Sequence, residues 1–210
     1  AAELELGMGK MKLLTDNGQK LERLDMKGLA AVDPAFGNSK VELAGAIHAP
    51  NDGSGNSELF TQKLTELLLS KGVEFKLGIT AKSFVADGER IIGLQTDQGI
   101  LSADNYVLAM GAWSPFLSRT VGQDLPVYPA KGFSMTFDLK DKSIAPELGG
   151  VDEKTLVAWS PMGNQLRMSS TAQFSGFDVS HKPEDFSAIR STAKELWPDA
   201  ADWDGGRMTA

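Results

Sequence analysis

The sequence predicts an α+β fold built on a mostly antiparallel sheet, and three observations lead there. Short segments of alternating polarity are separated by tight-turn signals, two segments carry a clear helical stripe, and strand and helix do not follow one another regularly. A doubly wound nucleotide fold is therefore not expected within these residues. At 210 residues the chain can bury about 70% of its unfolded surface without disulfide or metal staples.

In chain order, Val41, Leu43, Gly45 and Ile47 alternate with Glu42, Ala44, Ala46 and His48, the pattern of a partly buried strand. After the turn-rich PNDGSGNS, Asn56 or Ser57 can cap a helix whose Phe60, Leu64, Leu67 and Leu68 share a face, with Gly72 at its C-terminal stop. Val73, Phe75 and Leu77 alternate next, and Asp87-Gly88 marks a hairpin between SFVA and RIIGLQT. A turn at Asp97–Gly99 leads into ILSADNYVLAM, whose last six residues read as a buried apolar strand. Trp113-Ser114-Pro115 opens a short helix, Ser114 being suited to cap it and Pro115 tolerated in its first turn. Further strands are expected at 132–139, 155–160 and 165–170, the last two joined by a turn over 161–164. A final helix starts at Pro183, carries Phe186, Ile189, Ala193 and Leu196 on one stripe, and ends at Trp197-Pro198.

Composition narrows the chemistry. The absence of cysteine excludes disulfides, thiolate metal sites and a thiol nucleophile. Two histidines, His48 and His181, are too few for a multi-histidine metal centre, and both read as hydrogen-bonded or solvated residues. A net charge of −7 has the wrong sign for a polyphosphate binder, so nucleic acid is not an expected partner. No apolar run approaches the roughly 18–20 residues of a membrane helix, and AAELELGMGKMK lacks the layout of a signal peptide. The chain reads as soluble and cytoplasmic, with peripheral attachment at the inner membrane face as the alternative.

Gly7-Met8-Gly9 begins like a dinucleotide fingerprint, but Lys12 stands where the third glycine belongs. An ordinary turn or helix end is the expected structure there. Lys131 reads as an exposed lysine, and Asp52 as a turn former.

Four segments carry a resemblance. Val107-Leu108-Ala109-Met110-Gly111-Ala112-Trp113-Ser114 follows a helix, strand and hairpin. Next come Leu125-Pro126-Val127-Tyr128-Pro129-Ala130-Lys131-Gly132-Phe133-Ser134, then Leu166-Arg167-Met168-Ser169-Ser170-Thr171-Ala172-Gln173 with Gly176-Phe177-Asp178, then Trp203-Asp204-Gly205-Gly206-Arg207-Met208-Thr209-Ala210. In order and spacing the chain resembles the glycine oxidase and D-amino-acid dehydrogenase family of FAD enzymes, part of the DAO superfamily. Phe133 stands for the family's tyrosine, Ser170 for a glycine, Gln173 for a glutamate and Gly206 for a leucine, and the proline after the motif arginine is missing.

The resemblance implies that Arg207, and no other arginine, binds the substrate carboxylate, and that Ala81, Gly111 and Ala112 lie against FAD. It implies no metal and no certain catalytic side chain. It also implies that residues 1–50 begin a substrate domain, that 51–124 are a connecting helix, hairpin and strand of the FAD-binding domain, and that 125–210 complete the substrate domain. The family's N-terminal G-x-G-x-x-G turn and C-terminal glycine-rich segment have no counterpart here, so the chain is expected to be a central fragment, inactive and nearly free of flavin by itself.

In the intact protein a small D-amino acid would be oxidatively deaminated to a 2-oxo acid. A quinone or oxygen would accept the electrons. A sarcosine- or glycine-type oxidase is the alternative within enzymes, and a non-catalytic small-molecule-binding domain of this fold the alternative outside them.

Overall fold

Alternation in KGFSMTFD sets an inner strand of the larger sheet, because Phe133, Met135 and Phe137 are buried on one side of the strand. The computed structural model describes residues 2–210. The chain divides into two units. The first comprises Ala1–Ser57, Lys131–Gln173 and Asp178–Ala210, and the second Glu58–Ala130 and Phe174–Phe177.

The first unit holds helix α1 (Ala2–Asp16), strand β1 (Glu22–Leu24), helix α2 (Met26–Val32) and strand β2 (Ala46–His48). Helix α3 (Ser57–Ser70), strands β3 (Ala81–Asp87), β4 (Arg90–Thr96) and β5 (Gly99–Leu101), and helix α4 (Ser114–Ser118) follow and build the second unit. The chain then returns to the first unit with β6 (Lys131–Asp138), β7 (Gly150–Asp152), β8 (Val157–Met162), β9 (Gln165–Gln173), helix α5 (Ser187–Leu196) and β10 (Arg207–Thr209).

Every ladder is antiparallel. The five-stranded sheet runs β10-β6-β9-β8-β7, β1 pairs with β2, and β3-β4-β5 form a meander in the second unit. The predicted α+β class with antiparallel sheets is the class observed.

One face of the five-stranded sheet makes the core. Met135, Phe137, Leu166, Met168 and Val157 pack under α5, whose Ile189, Ala193 and Leu196 are buried as the predicted stripe requires. Burying each such side chain contributes about 1.5–3 kcal/mol relative to leaving it in water. Aromatic rings close the layer: Trp197 meets Trp159 at 5.0 Å and Phe36 at 5.5 Å, and Phe137 meets Trp203 edge-on at 4.9 Å. The Trp203 indole N–H donates to the Trp197 carbonyl at 2.8 Å, so the chain leaving α5 is tied down just before β10.

Asp33 is fully buried, and its carboxylate accepts from the backbone N–H groups of Ala35, Glu147 and Leu148 at 3.0–3.2 Å. It therefore joins the turn after α2 to the segment before β7.

Several expectations are corrected. Gly7–Gly9 lie inside α1, not at a turn or helix end; the TDNG signal terminates that helix instead of preventing it, and Gly7 sits against Ile47. The strand expected over 41–48 is only Ala46–His48, because Gly45, at φ +132°, brings the backbone against the Leu24 carbonyl.

Residues 73–77 and 105–110 form no strand despite their pattern. No ladder partner faces them among the described residues, and without one the extended backbone has no reason to pair. Val107 is 91% exposed and Leu77 85%. The turn between β8 and β9 is tighter than expected, since the strands extend to Met162 and from Gln165. Ser114 does not cap α4; its hydroxyl accepts from the Met110 N–H at 3.1 Å.

Helix α3 forms as expected, and at its C-terminus the Gly72 and Val73 N–H groups donate to the Leu69 and Leu68 carbonyls, a Schellman closure. Its apolar stripe is not buried, and Phe60 is 68% exposed.

Replacing Asp33 by alanine leaves three backbone N–H donors without their carboxylate, one of them on the buried Ala35, and should cost about 1–3 kcal/mol of unfolding free energy, with Asp33→Asn costing less. Urea unfolding followed by tryptophan fluorescence measures both, and an unchanged midpoint in Asp33→Ala would refute this account.

Candidate functional site

Because antiparallel partners place their side chains on the same face, the ladder registers locate what faces away from the core. Arg207 on β10 lies opposite Thr136 on β6, Thr136 opposite Arg167 on β9, and Arg167 opposite Ser160 on β8. The next row runs Thr209, Ser134, Ser169, Ala158 and Val151. The face opposite the aromatic core is thus polar, rich in hydroxyls, and carries two guanidinium groups.

Among the described residues neither Arg167 nor Arg207 has a carboxylate within ion-pair distance, and both are exposed. Arg167 is oriented by its neighbour, since its Nη2 donates to Ser134 Oγ at 3.0 Å. At the end of the face, Asp138 is held by the Gln165 amide at 2.7 Å. No group of histidine, aspartate and glutamate suited to a metal ion occurs among the described residues.

Arg207 owes its place to the glycines before it. Gly206 has φ +99°, and a Cβ there would come within 2.7 Å of the Phe137 ring. The residue that departs from the family pattern is therefore the one this backbone requires, as β10 can join β6 only by passing closely over Phe137. Asp204, just upstream, is anchored to α5 through the Lys194 ammonium at 2.6 Å. That hydrogen bond and charge hold the Asp204 carboxyl below the usual aspartate range.

The other predicted site residues belong to the second unit, whereas Arg207 belongs to the first. Ala81 starts β3 opposite Thr96. Its position is set by Thr80, whose N–H donates to Asp97 Oδ1 at 3.0 Å, and by Thr96, whose hydroxyl donates to the Gly99 carbonyl at 2.7 Å. Gly111 and Ala112 form the turn entering α4, and the turn that follows α4, Arg119–Val121, is fastened to β3 where the Phe84 N–H donates to Thr120 Oγ1 at 3.1 Å. Gly111 has φ +56° and open space where a Cβ would stand, so the backbone there is bare to a ligand. The bare backbone at Gly111 is suited to a planar, backbone-contacting group such as FAD.

Lys131 is not the exposed residue expected. It is buried, donates to the Ser180 carbonyl at 2.8 Å, stands 3.9 Å from Asp178 and lies over the Phe133 ring. His48 lies in β2 with Nδ1 3.7 Å from Glu22, and His181 rests edge-on against Phe186. Asp52 shapes its turn and accepts from Gln19.

Sequence reading did not place Arg167 in the same cross-strand row as Arg207. The alternation of Leu166 and Met168 around Arg167 was the available signal, but only the register puts Arg167 beside β10's row.

The family model for FAD dependent oxidoreductase matches residues 1–209. The chain is 38% identical over 200 residues to D-amino acid dehydrogenase 2 of Mesorhizobium japonicum, a match covering 95% of this chain and 48% of that protein. It is 40% identical over 174 residues to a D-amino acid dehydrogenase of Paramagnetospirillum magneticum, covering 83% and 41% respectively. The chain therefore spans about half the length of the curated relatives it matches. A glycine oxidase from Bacillus cereus ATCC 14579 has a similar fold, with TM-score 0.84 at 18% identity over 100% of this chain and 55% of that one. So does an L-proline dehydrogenase from P. horikoshii, with TM-score 0.81 at 14% identity, covering 94% and 53%.

Gly206→Ala combines a left-handed backbone with a contact against Phe137, and should cost about 1–3 kcal/mol. Amide hydrogen exchange at Arg207–Thr209 should accelerate as β10 loosens from β6; protection equal to wild type would show that the glycine is dispensable.

Proposed function

Because the chain belongs to the FAD dependent oxidoreductase family, matched over residues 1–209, we propose that its protein oxidises a small D-amino acid, with Arg207 anchoring the substrate carboxylate. The observation that carries this reading is the exposed guanidinium of Arg207, without a carboxylate partner among the described residues, on the polar face of the five-stranded sheet. The names of relatives 34–40% identical to the chain support the choice of substrate class.

Arginine suits the task. Its planar fork matches both carboxylate oxygens, and it stays charged at any working pH. The hydroxyls of Thr136, Ser134 and Thr209 surround it without an opposing charge at its own row. Fixing the carboxylate orients the α C–H, and orientation supplies much of what a protein contributes when a cofactor carries the redox chemistry. Bound FAD would supply the two-electron acceptor for the hydride that leaves the α-carbon. The resulting imine is hydrolysed by water, so one amino acid yields one 2-oxo acid and ammonia for two electrons. No side-chain base is assigned.

For the cofactor we assign Ala81, Gly111 and Ala112, where backbone can come close because side chains are small. The first unit then acts as the substrate domain, and the second contributes to the FAD-binding domain. No helix among the described residues is long and apolar enough to cross a membrane.

Arg207→Met should lower kcat/KM for a D-amino acid about 100-fold or more, mainly through KM, with Arg207→Lys intermediate. Steady-state dye reduction by the flavin-loaded protein measures it, and an unchanged KM removes Arg207 from the site. Gly111→Leu should lower flavin content; its side chain enters open space but strains a backbone at φ +56°, so far-ultraviolet circular dichroism and the urea midpoint are recorded beside the flavin content to separate lost binding from lost fold. Normal visible flavin absorbance in that variant would dismiss the cofactor assignment.

A further inference from the structure

A cavity of about 580 Å³ lies within the first unit, between α1, the β1–β2 pair, α2 and the edge formed by β7 and β8. That volume is within the roughly 300–1,000 Å³ of small-molecule sites. Leu4 and Met11 of α1, Leu24 and Ile47 of the strand pair, Leu29 of α2 and Trp159 of β8 give it apolar walls. Trp159 stands opposite Met168 in the ladder and is buried with it, so the cavity lies on the core side of the five-stranded sheet, away from the row of Arg207. It is no part of the proposed substrate face.

The polar groups of the cavity are unequal in charge. Asp33 is fully buried in its wall, and the carboxylate is held by uncharged backbone N–H groups. Among the described residues no basic side chain lies within ion-pair distance of Asp33. Glu42, Asp52 and Glu153 line the cavity where it meets solvent, and Lys154 is the only lysine or arginine among the described lining residues. His48 lines it too, with a buried Nδ1 that makes no hydrogen bond among the described residues. Beside apolar walls this excess of acid is weakly screened, so it repels an anionic ligand and attracts a cationic one.

We propose that this cavity is a second ligand site, for a small amphipath with an aliphatic body and a single ammonium group. The leucines, Met11 and Trp159 receive the body through the hydrophobic effect, and the acidic excess receives the head. A ligand that touches α1, α2 and the sheet edge together binds the folded first unit alone, so it stabilises that unit.

Calorimetric titration of the flavin-loaded protein with hexylamine and with 1-hexanol tests the site, because the two share an aliphatic body and differ in charge. Hexylamine should bind at least about tenfold more tightly than hexanol at low salt, and should raise the Tm. Ala46→Phe, beside Leu24 in the strand pair, and Val32→Trp, at the end of α2, add bulk to the cavity from two different elements. Each should weaken both ligands about tenfold or more, with far-ultraviolet circular dichroism and flavin absorbance recorded to confirm the fold. The double variant Glu42→Gln, Asp52→Asn keeps the cavity's shape and should lower hexylamine affinity about threefold or more while leaving hexanol unchanged.

Hexanol binding as tightly as hexylamine, or hexylamine affinity unmoved by the loss of Glu42 and Asp52, would overturn the proposal by removing the role of charge. Undiminished hexylamine binding in a folded Ala46→Phe or Val32→Trp protein would overturn it by placing the ligand elsewhere. So would the absence of any hexylamine binding in wild type.

Discussion

The register of β6 against β9 and β10 is the constraint on which the rest depends. Side chains on a strand alternate with a period of two, so a slip of one residue would exchange the faces of the sheet. Arg167 and Arg207 would turn into the aromatic layer, and Leu166, Met168 and Met208 would turn outward. Burying two unpaired guanidinium groups costs far more than the core could return. The same hydrophobic pattern that makes the core therefore also presents the polar face.

What fixes that register lies on the far side of the sheet. Phe137 is wedged against Trp203, and the Trp203 indole is bonded to the end of α5, so the last turn of chain reaches β6 at one height only. Gly206 removes the atom that would block the approach. Asp33 performs a comparable task at the opposite edge, where its buried carboxylate is satisfied by backbone N–H groups from two separate segments. A polar face and a structural core are here two sides of one sheet.

The second unit is built differently. Its meander and α4 are well hydrogen-bonded, yet α3 and the segments at 73–77 and 105–110 leave apolar side chains in the open. Alternation and apolarity are necessary for a strand but not sufficient, since a ladder needs a neighbour to receive its N–H and C=O groups. This is why strand-like sequence occurs without strands at these positions.

By itself the sequence determined the fold class, helix α3 and α5, the hairpin at Asp87-Gly88 and the four segments of family resemblance, because each is written in local chemistry: period, cap, turn residue or motif. It also carried Arg207 as a candidate, through a motif of adjacent residues. It misjudged Gly7–Gly9, the length of the strand ending at His48 and the burial of Lys131, because those depend on which distant backbone or side chain lies alongside. The placement of Arg167 and Arg207 on either side of Thr136 was decided by tertiary structure alone. Forty residues separate the two arginines in sequence, and only hydrogen bonds between β6 and its neighbours on both sides bring them into one row.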